Sequence, residues 1–67
     1  MWTVVYVASS WEMAENIQNT LDQEGLLVKI KEIRKNKEAS DKYFEVLVPE
    51  MEIEEAHTLI MEKGIVK

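Results

Sequence analysis

The sequence predicts a small α+β domain whose elements follow the order strand, helix, strand, strand, helix. Three stretches have the composition or the alternation of strands, and two have the spacing of amphipathic helices. A glycine, Gly25 or Gly64, follows each helical stretch, at the position where a helix commonly ends. With 67 residues, 46% of them hydrophobic and 31% charged, we expect one globular domain over residues 1–67.

The first strand is predicted over residues 2–8, where β-branched and aromatic residues dominate. Both alternating sets of side chains are largely apolar there, which is typical of a strand covered on both faces. Ser9 and Glu12 have the spacing of a capping box, so the first helix is predicted to begin at this point. Because Gly25 can adopt the left-handed conformation of a helix end, the helix should end at about Glu24. The predicted inward positions are Met13, Ala14, Ile17 and Leu21.

The next two strands are predicted to form a hairpin with a long polar loop. Residues 26–33 alternate apolar side chains with lysines, which is the pattern of a half-buried strand. Residues 43–48 also alternate, and Pro49 ends that strand because proline has no backbone N–H to donate. The segment between the two strands, residues 34–41, is polar.

A second amphipathic helix is predicted over residues 51–63, with Ile53, Ala56 and Ile60 facing inward. Its first turn is strongly acidic, which suits the positive end of the helix dipole. We interpret this acidic cluster as a solvated first turn and not as a cation site. Its members are Glu50, Glu52, Glu54 and Glu55.

The segments that begin at Gly25 and Gly64 match in character, so the chain resembles two copies of strand, helix, strand, the second cut short. Two interlocked units of this kind form a split βαβ, or ferredoxin-like, fold. We therefore expect both helices on one face of an antiparallel or mixed sheet, with the first and third strands adjacent and parallel. The fourth strand, beside the first, would be vestigial or absent, since only residues 65–67 remain for it.

This arrangement leaves the first strand with a partly unpaired edge and an apolar second face. Soluble proteins usually cover such an edge, and a large exposed apolar patch marks an interaction site. We therefore expect a homo-oligomer, a dimer or a trimer, formed through this face or edge. The residues expected on the helix-free side are Trp2, Val4, Tyr6, Tyr43 and Leu47.

Four segments, spread over nearly the whole chain, carry a family resemblance. They are Thr3-Val4-Val5-Tyr6-Val7-Ala8, the helical run from Ala14 to Gly25, Val46-Leu47-Val48-Pro49-Glu50, and Glu54-Glu55-Ala56. These segments resemble a family of short prokaryotic proteins of unknown function that are described as signal-transducing. The resemblance implies a ferredoxin-like fold similar to that of the nitrogen-regulatory PII-like group, together with oligomers. It implies no site residue, and the loop through which PII-like proteins signal is short here.

Charge is distributed unevenly along the chain. The net charge of −5 opposes binding to nucleic acid, yet six of the eight basic residues lie between positions 29 and 42. This stretch indicates either a solvated edge strand that resists aggregation or a contact for an anionic protein or small anion. A sensor of a small anionic ligand is therefore our alternative to a protein-interaction module. The candidate residues are Lys29, Lys31, Arg34, Lys35 and Lys37.

No catalytic, cofactor or metal site is predicted. The chain has no cysteine, its single histidine, His57, lacks partner ligands, and both glycines are placed at helix ends. Trp11 is expected to cover the start of the first helix or to lie in a protein contact. No apolar run approaches the roughly 20 residues that span a bilayer, so we expect no membrane association. The sequence thus predicts a cytoplasmic, non-enzymatic regulatory or protein-interaction module.

Overall fold

The computed structural model describes residues 1–34 and 42–63. Within them the chain forms two helices and a three-stranded antiparallel sheet, which confirms the predicted α+β class. The elements in chain order are strand β1 (Trp2–Ala8), helix α1 (Trp11–Gln23), strand β2 (Lys29–Arg34), strand β3 (Lys42–Pro49), a 3-10 turn (Glu50–Glu52) and helix α2 (Ile53–Glu62).

The sheet has the order β1-β3-β2, and β3 is antiparallel to both of its neighbours. The first and third strands are adjacent as predicted, but the expectation that they run parallel was wrong. Helix α1 returns the chain so that β1 and β2 run in the same direction. The hairpin then brings β3 back between them, so β3 must oppose both.

A β-bulge interrupts β1. Val4 pairs with Leu47, but the next paired residue of β1 is Tyr6, which lies opposite Val46. The extra residue, Val5, reverses the side-chain alternation, because each residue of a strand otherwise points to the face opposite its neighbour. Val5 packs against the core, and Tyr6 does so as well.

Both helices pack on the same face of the sheet and bury one continuous core. Buried residues of β3, α1 and α2 belong to a single apolar cluster, as expected for one layer of helices on one layer of sheet. The cluster includes Phe44, Val46 and Val48 from β3, Ala14, Ile17 and Leu21 from α1, and Ala56 and Ile60 from α2. The core residues predicted for the two helices are thus confirmed, with Met13 and Ile53 at its margin.

Helix α1 begins one residue later than its sequence signature indicates. Ser10, and not Ser9, is the N-cap, and its Oγ accepts from the backbone N–H of Met13 at 3.2 Å. At the other end Gly25 has a φ of +89°, and the N–H of Leu26 donates to the carbonyl of Leu21 at 3.1 Å. This is the Schellman arrangement, so the predicted helix end at Glu24 is confirmed.

Helix α2 is joined to the rest of the fold at both ends. The Glu52 carboxylate, directly before the helix, accepts from the backbone N–H of Leu27 at 3.0 Å. At the C-terminal end of α2, the Lys63 Nζ lies 3.6 Å from the carboxylate of Glu24, at the end of α1. Gly64 and the predicted fourth strand, residues 65–67, lie outside the described residues.

Candidate interaction surface

The side of the sheet that the helices leave uncovered, which we call the open face, is defined by the strand registers. Cross-strand partners share a face, so each paired row can be assigned to one side of the sheet. The rows of the open face are Trp2 with Pro49, Val4 with Leu47 and Lys29, Val7 with Glu45 and Lys31, and Tyr43 with Ile33.

Three apolar side chains of β1 are exposed on the open face. Trp2, Val4 and Val7 have exposed fractions of 42%, 38% and 51%, whereas Ala8 at the end of the same strand is fully buried. Leu47 and Tyr43 in the neighbouring strand are half-buried. Adjacent apolar side chains on one flat surface are typical of a site that another surface covers.

The bulge changes which residue of β1 completes this surface. Tyr6 was expected on the open face beside Trp2 and Val4, but it faces the helices. Its hydroxyl donates to the Met13 Sδ at 3.7 Å. Val7 takes its place on the open face. The sequence did not predict Val7 on this face, because the run Val4-Val5-Tyr6 contains no glycine or other marker of a bulge.

Lys29 lies across the open face. Its Nζ is 4.9 Å from the centroid of the Trp2 ring, although the two residues belong to the two outer strands of the described sheet. The two side chains therefore meet across the central strand. The cation is attracted to the face of the indole, and the contact orients both side chains.

The two outer strands of the described sheet differ in how they protect their edges. Four of the six residues of β2 are charged, which discourages another strand from pairing with it. None of the seven residues of β1 is charged, and in the described part of the chain this strand pairs only with β3. The edge of β1 is therefore the one that accepts a further strand more readily.

The basic residues predicted as an anion site do not converge within the described residues. Lys29, Lys31 and Ile33 share the open face. Arg34 alternates to the other face, where its Nε lies 3.4 Å from the carboxylate of Glu32. Lys35 and Lys37 lie outside the described residues.

Trp11, the first residue of α1, packs edge-on against Phe44 of the core. The ring centroids are 5.8 Å apart at an interplanar angle of 72°, and about half of the tryptophan side chain remains exposed. The contact joins the start of α1 to the central strand β3. Its exposed half lies on the surface near the end of β1.

Among residues 1–34 and 42–63 there is no group of three or more metal-ligating side chains and no pocket. His57 is exposed on α2. In the acidic cluster, the Glu52 carboxylate accepts a hydrogen bond from the backbone N–H of Leu27. The prediction of a solvated first turn did not include this contact.

Among residues 1–34 and 42–63, no helix has the length and apolar character that a membrane crossing requires.

The open face and the edge of β1 are the two surfaces of the sheet whose composition indicates a contact. No family model, curated protein or solved structure matches the chain.

Proposed function

We propose that this chain is a small, non-enzymatic protein-interaction module that associates with itself through the open face of its sheet. The observation that carries the proposal is the exposure of Trp2, Val4 and Val7 on a face that neither helix covers. A regulatory role and a cytoplasmic setting belong to the same proposal. The absence of cysteine and the resemblance to a signal-transducing family support them.

The energetics of a small domain favour such an association. A chain of this size buries a limited core, and additional apolar burial between copies adds directly to its stability. Each square ångström of apolar surface removed from water contributes about 25 cal/mol. Covering an exposed tryptophan and two valines is therefore a substantial gain for a domain whose own core is small.

The finer fold assignment is part of the proposal. We assign the chain to the ferredoxin-like class, with a vestigial or absent fourth strand next to β1. Two features support this assignment: β3 lies between β1 and β2, and both helices pack on one face. A short fourth strand would leave most of the β1 edge available for contacts with a partner.

The test is the mass of the chain in solution as a function of concentration, measured by light scattering after size-exclusion chromatography. We expect the wild-type chain to exceed the mass of one copy, and Val7→Glu to return it to one copy. Val7 is half exposed, so the variant should keep its fold, which far-UV circular dichroism checks. Thr58→Glu, an equal charge change at an exposed position of α2, is the control that should still associate.

A wild-type chain that has the mass of one copy at every concentration would overturn the proposal. So would equal loss of association in Val7→Glu and Thr58→Glu, because the effect would then follow from net charge and not from the open face.

A further inference from the structure

The short turn between β3 and α2 crosses one end of the sheet. At its start, the backbone N–H of Glu50 donates to the carbonyl of Met1, the residue before β1, at 2.8 Å. At its end, the Glu52 carboxylate accepts from the backbone N–H of Leu27, shortly before β2 begins. Met51 stands between these two anchored residues. The turn therefore holds Met1, Met51 and Leu27 at the same end of the sheet.

The apolar side chains at this end are exposed to solvent. The exposed fractions are 97% for Met51, 92% for Met1 and 62% for Leu27, and we call these three residues the methionine patch. Leucine and methionine are most often buried in folded proteins, and at this exposure they add little to the core. Methionine is also flexible and polarisable, so it adapts to apolar partners of different shapes. The patch is thus suited to contact with another molecule.

Carboxylates accompany the methionine patch. Four of them lie in or directly after the turn that carries Met51: Glu50, Glu52, Glu54 and Glu55. Three of the four are exposed, and the ion pairs formed within the described residues involve other carboxylates, those of Glu24 and Glu32. The helix dipole by itself accounts for an acidic first turn. It is the exposed apolar side chains beside the carboxylates that point to a partner.

The carboxylates determine the charge that this partner must carry. They repel nucleic acid, anionic lipid and acidic protein surfaces, and they attract a cationic segment, as the net charge of −5 also does. We propose that the methionine patch binds a basic amphipathic segment of a partner protein. The apolar side chains of that segment cover Met51 and Leu27, while its lysines or arginines meet Glu50 and Glu54. This contact is additional to self-association through the open face and does not depend on it.

The experiment uses the full chain with carbon-13 in its methionine methyl groups, titrated with a synthetic amphipathic peptide of leucine and lysine and followed by NMR. We expect the Met51 methyl signal to shift as the peptide binds. The methyl signal of Met61, which is exposed at the other end of α2, should not shift. A peptide of leucine and glutamate should cause no shift at Met51. Oligolysine, which lacks apolar side chains, should bind more weakly.

Two pairs of variants, all at exposed positions, test the apolar and the charged parts of the contact. Met51→Ser and Glu54→Lys should each weaken peptide binding by about fivefold or more in Kd, because one removes apolar surface and the other an attractive charge. Met61→Ser and Glu12→Lys are the matched controls and should leave Kd unchanged. Glu12 lies in the first turn of α1, which follows the opposite end of β1. Circular dichroism of every variant shows whether it is folded.

The inference is overturned if the leucine–lysine peptide leaves the Met51 signal in place, or if it shifts only signals of the open face, such as the Trp2 indole N–H. Equal binding of oligolysine and the leucine–lysine peptide would also overturn it, because charge alone would then explain the contact. So would equal weakening by Glu12→Lys and Glu54→Lys. The mass of the chain without peptide tests self-association separately, so the two proposals fail independently.

Discussion

At the scale of single residues, the start of α1 shows how two adjacent serines differ. Ser9 has the capping-box spacing to Glu12, but Ser10 has the extended backbone, with φ −142° and ψ 156°, and accepts the Met13 N–H. The residue at the reciprocal position of the Ser10 cap is Met13, which has no carboxylate to return the bond. The cap is therefore one-sided.

The two serines give a matched pair of variants. We expect Ser10→Ala to lower the free energy of unfolding by about 0.5–2 kcal/mol, because the Met13 N–H loses its acceptor. Ser9→Ala should change it by less than about 0.5 kcal/mol, as is usual for an exposed residue without such a role. Urea denaturation followed by circular dichroism measures both. Equal effects, or a larger effect at Ser9, would contradict the observed cap.

The glycine that ends α1 was predicted from the sequence, whereas the serine that caps its start was not. Gly25 was expected at the end of α1, and its φ of +89° is one that residues with a side chain rarely adopt. The choice between Ser9 and Ser10 was not predictable, because it depends on where the strand before them ends. That point is fixed by pairing with β3, which is a tertiary contact.

At the scale of elements, the bulge in β1 decides which side chains form the core and which form the open face. Before the bulge, Thr3 pairs with Val48 on the helix side. After it, Tyr6 and Ala8 return to that side, whereas Val7 faces outward. An unbroken alternation that kept Val4 on the open face would have exposed Tyr6 and buried Val7.

The bulge predicts opposite outcomes for the same substitution at neighbouring positions. Tyr6→Lys should lower the free energy of unfolding by at least about 2 kcal/mol, because it directs a charge at the core. Val7→Lys should change it by less than about 0.5 kcal/mol in dilute solution, where association does not contribute. Urea denaturation at low protein concentration compares the two. The reverse order of stability would show that β1 is a regular strand.

The presence of two helices and an antiparallel or mixed sheet followed from the sequence, but the direction of one strand pair did not. Helical and strand periodicities are local, so the boundaries of α1 and β3 were predicted within a few residues. The relative direction of β1 and β3 depends on how α1 returns the chain and on where the hairpin inserts its second strand. The sequence suggested that these strands were neighbours, and only the assembled sheet showed that they are antiparallel.

At the scale of the whole molecule, charge is unevenly distributed among the elements. The helices carry most of the described acidic side chains, β2 carries most of the basic ones, and β1 carries none of either sign. The central claim is that the uncharged strand and its neighbours meet a second copy. Trp2, Val4, Tyr43 and Leu47 of this surface were predicted from the sequence, whereas Val7 required knowledge of the bulge.

The most direct test of this claim is a dilution series of amide proton–nitrogen NMR spectra. We predict that the signals of Val4, Val7 and Leu47, together with the Trp2 indole N–H, shift with protein concentration. Signals of exposed α2 positions such as His57 and Thr58 should stay constant. Spectra that do not change with concentration, or changes confined to the helices, would contradict the claim.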